Sequence, residues 1–83
     1  MASVGETKAQ LIEANRIIAE AMVAAQTAAG KFDEARAMLA GIAAGVSVTL
    51  GNLACQVATE QCEQAFVRGH AAIEQNESYG ATL

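Results

Sequence analysis

Proline and tryptophan are absent from this chain, and only 4% of its 83 residues are aromatic. Without proline, glycine is the one strong helix breaker left, and seven glycines are spread along the sequence. The scarcity of aromatics excludes a core of large side chains. Alanine supplies much of the 53% hydrophobic content, and alanine buries little area, so burial has to come from close approach of helices. Cations are also few: five Lys and Arg against nine Asp and Glu, for a net charge of −4. Lys8, Arg16, Lys31, Arg36 and Arg68 are scattered, whereas a phosphate backbone needs clustered cations to displace its counterions. Nucleic-acid binding and a polybasic membrane anchor are therefore not expected. The first residues lack both a basic start and an apolar run, so no signal peptide is expected, and the location reads as cytoplasmic or leaderless secreted.

What the sequence does have is a seven-residue repeat. Val4, Leu11, Ile18, Ala25, Phe32, Leu39 and Val46 form one apolar column, with Ala14, Ala21, Ala28, Ala35 and Ile42 three residues behind. Apolar residues at these two heptad positions build a helix that lies along another helix. Ser3-Val4-Gly5-Glu6 has the form of a capping box and sets the start near residue 4. Glu6, Glu13, Arg16, Glu20, Asp33 and Glu34 avoid both columns and mark a solvated side. The repeat passes Gly30 without a phase change, which predicts one helix through that glycine. After about residue 50 the pattern returns: Ala58, Ala65 and Ala72, then Tyr79, lie seven apart, beside Cys55, Cys62 and Gly69. Phe66 and Ile73 widen the second stripe.

Between Arg36 and Glu60 no side chain is charged. A run of this length exceeds the ~18 residues that suggest a membrane span, and Gly41 and Gly45 have the spacing of close helix contact in lipid. Ser47, Thr49, Asn52 and Gln56 interrupt it, and neither flank is basic, so a hairpin tip explains the same residues. The first helix then ends near Ala44, with Gly45 as a left-handed C-cap. The β-branched tetrapeptide Val46-Ser47-Val48-Thr49 forms the turn, and Ser47 or Asn52 caps the second helix. The predicted fold is all-α, one domain over residues 1–83: a long antiparallel two-helix hairpin, about 4–44 and 48–79, which dimerises into a four-helix bundle.

The helix-packing interface is assigned to Leu11, Ala14, Ile18, Ala21, Ala28, Phe32, Ala35 and Leu39 of the first helix. Cys55, Ala58, Cys62, Ala65, Phe66, Ala72 and Ile73 supply the second. A two-helix hairpin leaves Ile12, Ile17, Met22, Val23, Met38, Leu50, Leu53, Val57 and Val67 beside or outside this seam. They call for a partner, either a second copy or another helical protein. Cys55 and Cys62 share a face but lie ~10.5 Å apart along a helix, too far for a disulfide within the chain; they either pair across a dimer or serve as small buried apolar residues, the reading favoured here.

Nothing in the pattern assembles a reaction centre. His70 is the lone imidazole, near Arg68 and Glu74, and with two cysteines it does not make a zinc site. Glu60, Glu63, Glu74 and Glu77 read as a solvated acidic face. Ser47 and Thr49 lack a positioned base, and Gly41-Ile42-Ala43-Ala44-Gly45 lacks the Gly-Lys-Ser/Thr of a phosphate loop. No enzyme activity, cofactor, metal or small-molecule substrate is expected; the chain reads as a non-catalytic protein–protein interaction module.

An acidic, alanine-rich chain with two long helices around a glycine-bearing turn resembles the small helical-hairpin proteins of the type VII (ESX, Trp-Xaa-Gly) secretion class of actinobacteria. Glu77-Ser78-Tyr79-Gly80-Ala81-Thr82-Leu83, a tyrosine-containing helix close to a leucine, is similar to the ends of related alanine-rich short proteins. Gly41 or Gly45 stands where that class has its glycine, and no Trp accompanies it. The resemblance implies a dimeric hairpin and nothing about export. Two other readings are a structural or accessory protein of an actinobacterial phage and a small membrane protein using residues 37–59.

Overall fold

The computed structural model describes residues 3–42 and 45–83, Ser47 by its backbone alone. Its two elements are α1, Val4–Ala40, and α2, Val46–Thr82, each of 37 residues. They run antiparallel as an extended hairpin with principal extents of 62 × 18 × 14 Å. No strand occurs among the described residues.

Ser3 caps α1 in an extended conformation, its Oγ accepting from the Glu6 backbone N–H at 3.1 Å. This satisfies one of the free amides of the first turn. Thr7 adds to the start, donating from its hydroxyl to the Ser3 carbonyl at 3.1 Å. Gly30 lies within α1, and the helix is continuous through it. The packed stripe decides this: Ala25, Ala29 and Phe32 on either side of the glycine stay turned towards α2, and a break would cost that register.

Three predicted boundaries move. α1 ends at Ala40, with Gly41 as its cap in right-handed geometry, φ −81° and ψ −7°; Ala44, the predicted end, lies outside the described residues. Gly45 is not a left-handed C-cap. It is the extended N-cap of α2, at φ −93° and ψ −179°. Val46-Ser47-Val48-Thr49 is the first turn of α2 rather than the hairpin turn. Branching at Cβ costs helix stability by crowding the preceding turn, and at a helix start there is no preceding turn to crowd. Ser47 thus lies inside the helix, and Asn52 sits more than a turn past the cap, where its amide is used across the hairpin instead. At the far end α2 does not stop at residue 79, the predicted end: it continues to Thr82, with Leu83 as its cap.

The seam follows the heptad column and the positions four residues after it. Leu11, Ile18, Met22, Ala25, Ala29, Phe32 and Leu39 of α1 are half-buried against Cys55, Cys62, Phe66, Gly69, Ile73 and Gly80 of α2. A Cβ built on Gly69 would stand 2.7 Å from Met22 Cγ, and one on Gly80 would stand 3.6 Å from Leu11 Cδ1. One on Gly51 would stand 3.9 Å from Leu39 Cδ1. Each of these partners is about as far from the tip as its mate, so the three contacts belong to one register. Small residues on α2 thus receive large ones from α1, the interlocking that lets helices approach closely.

Candidate functional site

The assigned interface set divides by burial, thirteen members half-buried and two exposed. Leu11, Ala14, Ile18, Ala28, Phe32, Ala35, Leu39, Cys55, Ala58, Cys62, Phe66, Ala72 and Ile73 are half-buried. Ala21 and Ala65 are exposed. A strict seven-residue column drifts around a straight helix by ~20° per heptad, and at these two places a longer neighbour takes the seam. Met22 reaches over Gly69, and Phe66 occupies the position beside Ala65. The alanine methyls are too short to follow.

Polar contacts across the seam are the part that heptad spacing does not reveal. Thr59 is the one buried polar residue among those described, 5% exposed, with its hydroxyl 3.1 Å from the Cys55 carbonyl and 3.3 Å from Asp33 Oδ1. Towards the tip, Asn52 Nδ2 donates to the Arg36 carbonyl at 3.2 Å. Towards the open end, Asn76 Nδ2 donates to Asn15 Oδ1 at 2.9 Å. A one-turn slip would break all three; Thr59 would keep its bond to the Cys55 carbonyl of its own helix, while each amide left buried without a partner would cost ~1–3 kcal/mol. Arg36 completes this cluster: Nη1 reaches Asp33 at 3.3 Å, while Nε is buried without a partner among the described residues.

Charged groups elsewhere lie on the outside. Arg16 bridges Glu13 and Glu20 one turn to either side, with Nε donating to Glu13 Oε2 at 3.0 Å. The hydrogen bond from Arg16 holds the Glu13 carboxyl below the usual carboxylate range, and the same pairing raises Arg16. His70 Nε2 lies 3.1 Å from Glu74 Oε1, both side chains well exposed. The pair lies one turn apart on α2, a surface contact between neighbouring turns.

The apolar balance is unusual for a folded unit. Among the described residues no hydrophobic side chain is buried, while thirteen large ones are exposed, from 38% for Leu83 to 77% for Val46. Met38, Ile42, Val46, Leu50, Leu53 and Val57 are all more than half exposed and gather in the uncharged half nearest the tip. The two alanine columns fall together for a geometric reason. Right-handed winding on antiparallel axes puts Ala14, Ala21, Ala28 and Ala35 on the same flank as Ala58, Ala65 and Ala72, and leaves Asp33, Glu63 and Glu77 to the other. Among the described residues, no helix is long and apolar enough to cross a membrane.

No family model matches the chain, and neither the curated proteins nor the solved structures contain a match to it.

Proposed function

We propose that this protein is a non-catalytic helical interaction module that works as a homodimer or against a similar helical partner. One observation carries the reading: the hairpin buries no hydrophobic residue among those described, yet leaves thirteen large ones exposed. A fully buried Val or Leu is worth ~1.5–3 kcal/mol. A two-helix rod with only half-buried contacts forgoes most of that, and a chain this short has little other reserve. Pairing with more helices recovers it. The alanine flank supports the same reading, since small side chains let a further helix approach near the lower end of the 8–10 Å range.

Sedimentation equilibrium between about 1 µM and 1 mM tests it, with added host extract where the chain alone stays monomeric. A concentration-dependent mass, or a stable complex with a helical protein, is the expected result. A folded monomer that captures nothing across this range would overturn the proposal.

A further inference from the structure

The outer face of α2 carries a second apolar stripe, separate from the seam. Val46, Leu50, Leu53 and Val57 are spaced four, three and four apart, which lines them up on one face of the helix, directed away from α1. Their exposures are 77, 60, 52 and 51%. That spacing reads the same from either end. A second α2 turned by 180° therefore presents an identical stripe in the matching register, the condition for an isologous contact. We infer that two copies of this chain pair antiparallel through these stripes, Val46 against Val57 of the other copy and Leu50 against Leu53, with the two α2 helices at the centre and each α1 outside. This rests on the self-association reading above and names its surface.

Charge selects this register over its competitors. No charged residue lies between Arg36 and Glu60, so the two uncharged halves meet without repulsion. In a parallel pairing Glu60 would meet Glu60 and Glu74 would meet Glu74 along the same face. A longer antiparallel overlap that also covered Val67 would set the Glu60 carboxylate against Val57, and burying an unpaired carboxylate outweighs one added aliphatic contact. The chosen overlap spans only ~16 Å of helix. It is short beside a standard interface of ~1,600 Å², so association is sought up to millimolar concentration.

Sedimentation equilibrium of the full chain from 1 µM to 1 mM, with helicity checked for each variant, tests the pairing. Leu53→Glu is expected to weaken association at least tenfold, and Val67→Glu to leave it within twofold. With both native cysteines changed to serine, a mixture of Val46→Cys and Val57→Cys chains is expected to cross-link between the two types and not within either. Wild-type association in Leu53→Glu, equal weakening by Val67→Glu, or cross-linking of Val46→Cys to itself would each overturn the inference. Association that survives Leu53→Glu but fails in Ala21→Glu would move the contact to the alanine flank and keep the broader proposal. No self-association at 1 mM would end both the stripe pairing and the homodimer.

Discussion

Two glycines on the same hairpin have opposite consequences when a methyl group is added. Gly30 is exposed in the interior of α1, and a Cβ there would meet nothing within 4 Å. Gly30→Ala keeps the backbone and removes unfolded-state freedom, so it is expected to stabilise by about 0.5–1 kcal/mol in chemical denaturation. Gly69 faces Met22, and a Cβ would come within 2.7 Å of Cγ and 3.1 Å of Sδ, with Ile18 Cγ2 at 3.4 Å. Cγ is close to the Met22 backbone and cannot swing clear as a side-chain tip could. Overpacking costs ~1–3 kcal/mol, against a helix-propensity gain of ~1 kcal/mol. Gly69→Ala is thus expected to lose about 1 kcal/mol, and to lose less when it is made in a Met22→Ala chain; a stabilised Gly69→Ala would contradict the close approach. Glu13 gives a pH test at the same scale. Its pKa is lowered in the folded helix by Arg16, so its contribution is present above the ordinary carboxylate range and is lost as pH falls through the lowered value. An NMR titration should show the Glu13 midpoint rising to the ordinary range in Arg16→Gln.

The helices differ in how they begin. α1 has Ser3 at its cap and Glu6 in its first turn, whereas α2 starts from Gly45 with no side-chain cap and no acidic residue in the first turn. Gly45 has an extended φ of −93°, which any residue can adopt, and open space where a Cβ would be. Gly45→Asp adds an acceptor for the free amides and a negative charge at the positive end of the helix dipole. A gain of about 0.5–1 kcal/mol is expected, read as a higher denaturation midpoint; no gain would mean that the first turn of α2 is not limited by its cap. This end of α2 is also where the sequence was hardest to read. The columns through Leu11 and Cys55 declared two long helices that pack on each other, because a seven-residue apolar repeat has few other uses. The β-branched run at Val46 pointed to a turn only because propensity averages over positions, and the first turn is the one place where its cost vanishes. Thr59, Asn15 and Asn76 were not legible as contacts at all. Which polar residues meet depends on register, register depends on the length of the tip, and that length was open by several residues.

At the scale of the whole molecule, shape and burial together fix how stability should respond to concentration. A rod of 62 × 18 × 14 Å has a large surface for its volume, and here it encloses no buried hydrophobic residue among those described. Folding entropy grows with the number of ordered residues whatever their packing, so the isolated hairpin is expected at the low end of the usual 5–15 kcal/mol. If association supplies the missing burial, the dimer is favoured by mass action. A hundredfold rise in concentration above the dissociation constant adds ~2.7 kcal/mol per dimer, or about half that per chain. For a domain of 60–100 residues each kcal/mol moves Tm by ~4–8 °C. Thermal unfolding followed by circular dichroism at 10 µM and at 1 mM should therefore differ by up to roughly 10 °C, with the higher midpoint in the concentrated sample. Leu53→Glu should flatten that dependence while changing the dilute midpoint little, because Leu53 is 52% exposed in the single hairpin. A Tm that stays constant over the hundredfold range would show that the hairpin is stable without a second copy.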